Sequence, residues 1–112
     1  MQRDDALITD ILMAARKVAR HANGLTREEF AANETIQDAV LWQIGIIGEA
    51  ARKVSGEFQE RHPEIPWHEM SGMRNRLVHD YSRIDLAQVW DTVLRSIPEL
   101  IRLLEPLVSR SD

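Results

Sequence analysis

The sequence of 112 residues contains no cysteine. Without thiols the chain can form neither a disulfide framework nor a Cys-based zinc or redox site, which agrees with a reducing cytosolic setting. No apolar run approaches the roughly 18 residues that a membrane-spanning helix needs. Residues 1–5 are charged and lead into a mixed sequence, unlike a signal peptide. We therefore expect a cytoplasmic protein without a membrane span.

The sequence also shows no sustained alternation of apolar and polar residues, no internal repeat and no low-complexity tract. Apolar residues make up 44% and charged residues 29%, which is typical of a globular chain. This length suits one hydrophobic core, so we expect a single domain over residues 1–112. A net charge of -4 argues against a general nucleic-acid coat, because non-specific binding depends on neutralising phosphates, but it allows a local basic site.

Apolar residues recur instead at helical spacing. They predict three long amphipathic helices over residues 4–22, 36–58 and 86–108. Gly24 is expected to close the first helix, and Thr26 with Glu29 has the form of a capping box, as does Asp85 with Gln88. Pro98 is expected to kink the last helix. We predict an all-α fold, an antiparallel up-and-down bundle with two or three further short helices.

The central helix, 36–58, contains two glycines, Gly45 and Gly48. Each costs about 1 kcal/mol relative to alanine, so another backbone or a bulky side chain is expected to approach there. Trp42 and Ile46 widen the apolar surface, which predicts burial against the chain itself on one side and against a neighbour on the other. The simplest interpretation places all three tryptophans, Trp42, Trp67 and Trp90, in the core. Glu49 is best explained by a solvated helix face.

A short helix over residues 67–70 is expected to break at Ser71-Gly72, and a second one to carry the polar stretch 73–81. On such a helix Asn75 and His79 share an exposed edge, whereas Arg74 and His79 are separated by about 140°. Either the helix loosens before His79, or a second copy of the chain completes the site.

An arginine and a histidine together suit phosphodiester chemistry. A guanidinium binds phosphate oxygens in a fork, and an imidazole titrates near neutral pH and can move a proton. The ribose 2'-hydroxyl of RNA supplies an internal nucleophile, so no metal is required. Arg74 and His79 are the candidate catalytic pair, with Asn75 and Asp80 in supporting roles. Two further basic residues nearby, Arg76 and Arg83, are candidate RNA contacts.

The alternative for the Arg-x4-His spacing is a solvated helix edge, and for Tyr81 a half-buried ring with its hydroxyl at the surface. The remaining histidines lack the spacing of a ligand set, so we expect no metal site. They are His21, His62 and His68.

The stretch resembles the HepT-like proteins of the HEPN superfamily, whose signature Arg-x4-His-x-Tyr is matched by Arg74, His79 and Tyr81. The likeness extends beyond the motif. Residues 35–40, 46–51, 63–67 and 72–81 look like the family in the same order and at similar spacing, and the whole resemblance covers about residues 6–105.

The resemblance implies a HEPN-like antiparallel bundle that forms a homodimer, with the two motif helices facing each other across a cleft. It implies a metal-independent RNase without a cofactor, in which Arg74 and His79 are catalytic and which acts as the toxin of a toxin–antitoxin pair. The antitoxin would be a small nucleotidyltransferase of the MntA or MNT-domain type that transfers AMP from ATP onto Tyr81. AMP there would place negative charge and bulk beside the catalytic pair.

Two other functions stay open. One is a non-catalytic module that docks the nucleotidyltransferase and assists its nucleotide or substrate binding, and the other is a purely structural helical dimer.

Overall fold

The computed structural model describes the backbone of residues 2–80 and 83–111 and the side chains of residues 3–78 and 83–108. The helices are α1 (Gln2–Ala22), α2 (Arg27–Ala31), α3 (Glu34–Lys53), α4 (Gly56–Arg61), α5 (Trp67–Leu77), α6 (Leu86–Asp91) and α7 (Ile97–Ser111), and a π-helical turn (Thr92–Ser96) joins the last two. A short antiparallel hairpin pairs β1 (Val78–Asp80) with β2 (Arg83–Ile84). The predicted all-α class is confirmed, with this hairpin as its only strand pairing among the described residues. None of the helices in those ranges is long and apolar enough to cross a membrane.

Helix α3 lies antiparallel to both α1 and α5. Asp4 at the start of α1 accepts hydrogen bonds from Ser55, just beyond the end of α3. Arg52, near that same end, donates to the carbonyl oxygen of Ser71 in the first half of α5. The core lies between these helices and α7. Its fully buried side chains include Val18, Ile44, Ile47, Met70, Ile97 and Leu104.

Several predicted helix ends are confirmed. Gly24 has a φ of +79°, in the left-handed region that favours glycine, and it lies two residues beyond the end of α1 at Ala22. Thr26 and Glu29 form both halves of the predicted capping box. Asp85 caps α6 by accepting a hydrogen bond from the backbone N–H of Gln88.

The prediction of one central helix over 36–58 is wrong, because α3 ends at Lys53. The Ser55 hydroxyl accepts a hydrogen bond from the Phe58 N–H and so begins a new helix, α4. Val54 and Phe58 are nevertheless both buried. The apolar spacing therefore continues across the interruption between the two helices.

Two other helix boundaries also differ from expectation. The predicted interruption at Ser71-Gly72 does not occur: the Ser71 hydroxyl donates to the Trp67 carbonyl within a continuous α5. In the last helix, the distortion expected at Pro98 takes the form of the π-helical turn that precedes it. Proline has no N–H for the carbonyl four residues earlier, so regular α-helical bonding is lost at that point.

Asp4 should stabilise the fold through its contact with Ser55. Its carboxylate is 2% exposed and accepts from the Ser55 N–H at 2.9 Å and from the Ser55 hydroxyl at 2.6 Å. Burial is the largest single influence and would raise the pKa of Asp4, but the hydrogen bonds from Ser55 and the nearby positive charge of Arg3 act together against it, and the pKa lies below its ordinary value. Asp4→Ala should cost about 2 kcal/mol at neutral pH, measured by denaturant unfolding.

Asp5→Ala is the matched control, because Asp5 lies in the same helical turn and is exposed. A group with a lowered folded-state pKa stabilises above its unfolded pKa, roughly 3.9, and loses that contribution as the pH falls through the folded value. The difference between wild type and Asp4→Ala should therefore shrink below about pH 4. Equal stability of Asp4→Ala and Asp5→Ala at pH 7 would contradict this role for Asp4.

Candidate functional site

Helices α3 and α5 approach each other closely at Gly48. A Cβ atom on this residue would lie 3.1 Å from the Met70 carbonyl oxygen and 3.4 Å from that of Ser71. A Cβ atom on Gly45, one turn earlier, would meet the Arg74 Cδ at 3.6 Å. The close approach predicted from the two glycines is thus confirmed, and it places the side chain of Arg74 against α3.

The two glycines should respond differently to alanine. Gly45→Ala should stabilise the protein by up to about 1 kcal/mol, because the new methyl group meets Arg74 at ordinary contact distance and helix propensity improves. Gly48→Ala must displace backbone carbonyls of α5, which offsets the same gain. We expect it to be about 1–3 kcal/mol less stable than Gly45→Ala in thermal or denaturant unfolding. Equal stability of the two variants would show that α5 is not held against α3 at this point.

Next to this contact, α3 and α5 form a cleft of ≈ 620 Å³. Its volume is within the range of small-ligand sites. The polar and aromatic groups that line it are Trp42, Glu49, Arg52, Ser71, Arg74 and Asn75. The side chains of Arg74 and Asn75 are exposed and form no hydrogen bond or ion pair with the part of the chain that the structure describes. Within that part of the chain, nothing competes with a ligand for either group.

Arg52 links the two walls of the cleft. Its Nη1 donates to the Ser71 carbonyl oxygen on α5 at 2.8 Å, and its Nη2 donates to the Glu49 carboxylate on α3. The hydrogen bond and the charge of Arg52 hold the pKa of Glu49 below its ordinary value, so this carboxylate is ionised at neutral pH. Glu49 is exposed, as the solvated-face interpretation expects, but it faces the cleft.

The motif does not lie on one helix, so the prediction of a helix carrying residues 73–81 is wrong. Helix α5 ends at Leu77, and His79 belongs to β1. The hairpin causes this: Val78 is extended and pairs with Ile84, while the Asp85 N–H donates to the Leu77 carbonyl at 2.9 Å. The sequence left two explanations for the angle between Arg74 and His79, a helix that loosens or a second copy of the chain. The first one occurs, because the helix ends before His79.

The remaining motif groups are described only in part. The backbones of His79 and Asp80 are in β1, but their side chains and the whole of Tyr81 lie outside the described residues. Their predicted roles stay predictions. Arg83 is exposed on β2, in register with Asp80.

Arg76 lies away from the cleft. Its Nη2 donates to the Glu69 carbonyl oxygen at 2.8 Å, and its side chain lines a separate groove of ≈ 260 Å³ beside Ser96 and Glu99. The structure thus brings together Arg74 and Asn75 and separates Arg76 from them. Side chains two positions apart on a helix point about 200° apart, so the sequence spacing of Arg74 and Arg76 was enough to predict that they face different sides of α5.

Trp42 and Arg52 line the cleft, although the residue pattern did not predict either of them as part of the site. The assignment of all three tryptophans to the core holds for Trp67, which is 8% exposed, and in part for Trp90, which is half-buried against Phe30. It is wrong for Trp42, which is 71% exposed, because this side chain faces the cleft rather than the core. The i,i+3 spacing of Glu49 and Arg52 could have indicated their pairing.

The side chains that the structure describes contain no group of three or more His, Asp or Glu residues arranged to hold a metal ion. Independence from metals stays a prediction, since it concerns the reaction.

The sequence is similar to one family of known proteins over most of its length. Residues 11–107 match the family model described as ribonuclease HepT-like. Over 100 residues the chain is 36% identical to the probable ribonuclease HepT of Thermococcus cleftensis, covering 89% of this chain and 91% of that protein. It is 37% identical over 100 residues to a candidate RNase of Methanocaldococcus jannaschii, covering 89% and 92% of the two chains. A candidate RNase of Caldanaerobacter subterraneus is 31% identical over 100 residues, with 89% of each chain covered. No solved structure matches. The chain belongs to the ribonuclease HepT-like family.

Proposed function

We propose that the protein is a metal-independent endoribonuclease of the cytoplasm, with Arg74 and His79 as its catalytic pair. The observation that carries the proposal is the Arg74 guanidinium in the α3–α5 cleft, which has no partner among the described side chains and lies within the intact family motif. Names of relatives that include ribonuclease support it. A fixed cation beside an open cleft is what a phosphodiester substrate requires.

The proposed reaction is an internal transfer. The 2'-oxygen attacks the adjacent phosphorus, the bond from phosphorus to the 5'-oxygen breaks, and the products are a 2',3'-cyclic phosphate and a 5'-hydroxyl. His79 moves the proton between the two oxygens, and Arg74 stabilises the charge that develops on the phosphoryl oxygens. Asn75 and Asp80 assist by orienting these groups, and Arg83 contacts the RNA backbone.

The active form in this proposal is a homodimer in which the two copies of the motif face each other across a groove between the protomers that stays open to RNA. Membership of the ribonuclease HepT-like family supports it, because the resemblance of residues 72–81 to that family implies such a dimer.

We further propose that the protein is a toxin whose antitoxin is an MNT-domain nucleotidyltransferase. AMP transfer onto Tyr81 would add a phosphate two residues from His79 in the chain. That phosphate would compete with RNA for the Arg74 guanidinium and obstruct the cleft.

The test is expression of the wild type and of His79→Ala without a partner, followed by growth and RNA-integrity measurements. The proposal expects arrested growth and fragmented RNA with the wild type only. Equal, undisturbed growth and intact RNA with both would contradict it. Retained binding to a nucleotidyltransferase in that case would favour the non-catalytic docking module instead.

A further inference from the structure

Trp42 is the feature of the cleft that the proposed chemistry does not use. It is 71% exposed, more than either of the other large apolar side chains that are open to solvent, Met13 and Leu94. An indole ring left in water forgoes the stabilisation of burial, which for a large apolar side chain is substantial. Its position in the lining of the cleft suggests that a ligand uses this surface.

The position of Trp42 relative to Arg74 is fixed by α3. Trp42 precedes Gly45 by three residues, and Gly45 is where the side chain of Arg74 lies against the helix. The backbone of Trp42 is therefore about one helical turn, roughly 5 Å along the α3 axis, from the point where the stem of the Arg74 side chain lies. An aromatic side chain and a cation that has no partner among the described residues line the same open cleft, together with the Asn75 amide.

We propose that Trp42 is a stacking surface for an unpaired base of the RNA whose phosphate Arg74 binds. The inference rests on the proposed ribonuclease function and adds a substrate-contacting residue to it. Single-stranded RNA is recognised by aromatic rings that stack on splayed-out bases and by cationic groups that follow the backbone. The substrate class is consequently single-stranded RNA, since a base inside a duplex cannot reach the indole.

The charges around Trp42 argue against a second copy of the chain as its cover. The lining of the cleft includes Arg74, Arg52 and Glu49 around this one aromatic ring. The cores of protein interfaces are depleted of charged residues. A protein interface that excludes water here would desolvate the Arg74 guanidinium, which has no partner among the described residues. A nucleotide presents a flat ring together with an anion, and so matches both parts of the surface.

The test measures binding of two probes to protein that carries His79→Ala, so that RNA is not cleaved. One probe is a single-stranded RNA oligonucleotide, and the other is an abasic oligonucleotide of equal length. Adding Trp42→Ala should weaken binding of the first by roughly 5- to 100-fold, the effect of one stacked base, and leave the second unchanged. Trp42→Phe should recover most of the affinity. Leu94→Ala is the control, because Leu94 is 56% exposed and is not among the residues that line the cleft.

Three results would overturn the inference: a similar change for both probes, no RNA binding by the parent protein, or conversion of the dimer to monomers by Trp42→Ala in sedimentation. The last would mean that a second copy covers the ring. Failure of the ribonuclease proposal would be seen separately, as intact RNA after incubation with protein that retains His79.

Discussion

Replacing Arg74 or His79 by alanine should each lower the rate of RNA cleavage by roughly 10²- to 10⁴-fold. Arg74→Ala removes the cation that would stabilise the phosphoryl oxygens, and His79→Ala removes the group that would move the proton. Thermal unfolding should change little for Arg74→Ala, because its guanidinium is exposed and unpaired within the described residues. Single-turnover cleavage of a labelled RNA measures the effect on the rate.

Two variants on α5 sharpen this test. Arg74→Lys should restore only part of the activity, because a lysine keeps the charge but not the two-pronged geometry. Arg76→Ala should retain the rate within about threefold, since Arg76 donates to Glu69 on another side of the helix. If Arg76→Ala lost as much activity as Arg74→Ala, the α3–α5 cleft would not be the site of cleavage.

AMP transfer should depend entirely on Tyr81. Incubation with the partner nucleotidyltransferase and ATP should add the mass of one or more AMP groups to the wild type and abolish its RNase activity. Tyr81→Phe should gain no mass and stay active under the same conditions. Because Tyr81 is the sole tyrosine of the chain, no other residue can provide a phenolic acceptor. Intact-mass spectrometry, followed by the cleavage assay, reports both effects.

An unchanged mass of the wild type would contradict the proposed regulation while leaving the nuclease proposal intact. Modified protein that still cleaves RNA would show that AMP does not obstruct the cleft. Catalytically inactive His79→Ala is a useful control, because it should still accept AMP at Tyr81.

Local signals in the sequence predicted much of the fold. The Thr26 and Glu29 capping box, the left-handed Gly24 and the apolar faces of α1 and α7 depend on residues within a turn or two of each other. Gly48 was also informative, because an internal glycine weakens a helix unless something lies against it.

The features that the sequence did not predict depend on contacts between elements. Ser55 ends the central helix because it serves as a cap and also binds Asp4, 51 positions away. Helix α5 ends at Leu77 because β1 pairs with β2, a weak hairpin signal of three and two residues. In both places the apolar spacing continued past the true end of the helix.

The candidate site could also be predicted from the sequence only in part. Residue types identified Arg74 and Asn75, and the structure places both in the cleft. Residue types could not tell an exposed tryptophan from a buried one: Trp42 and Trp67 differ only in what the fold packs against them.

Metal-independent cleavage at the 2'-hydroxyl is tested most directly by incubating the purified wild type with RNA in the presence of a metal chelator. A strand of the same sequence with 2'-deoxyribose at every position is incubated in parallel. The RNA should be cut to fragments ending in a 2',3'-cyclic phosphate, and the deoxy strand should stay intact. Intact RNA, or cleavage of both strands, would contradict a metal-independent reaction at the 2'-hydroxyl that uses Arg74 and His79.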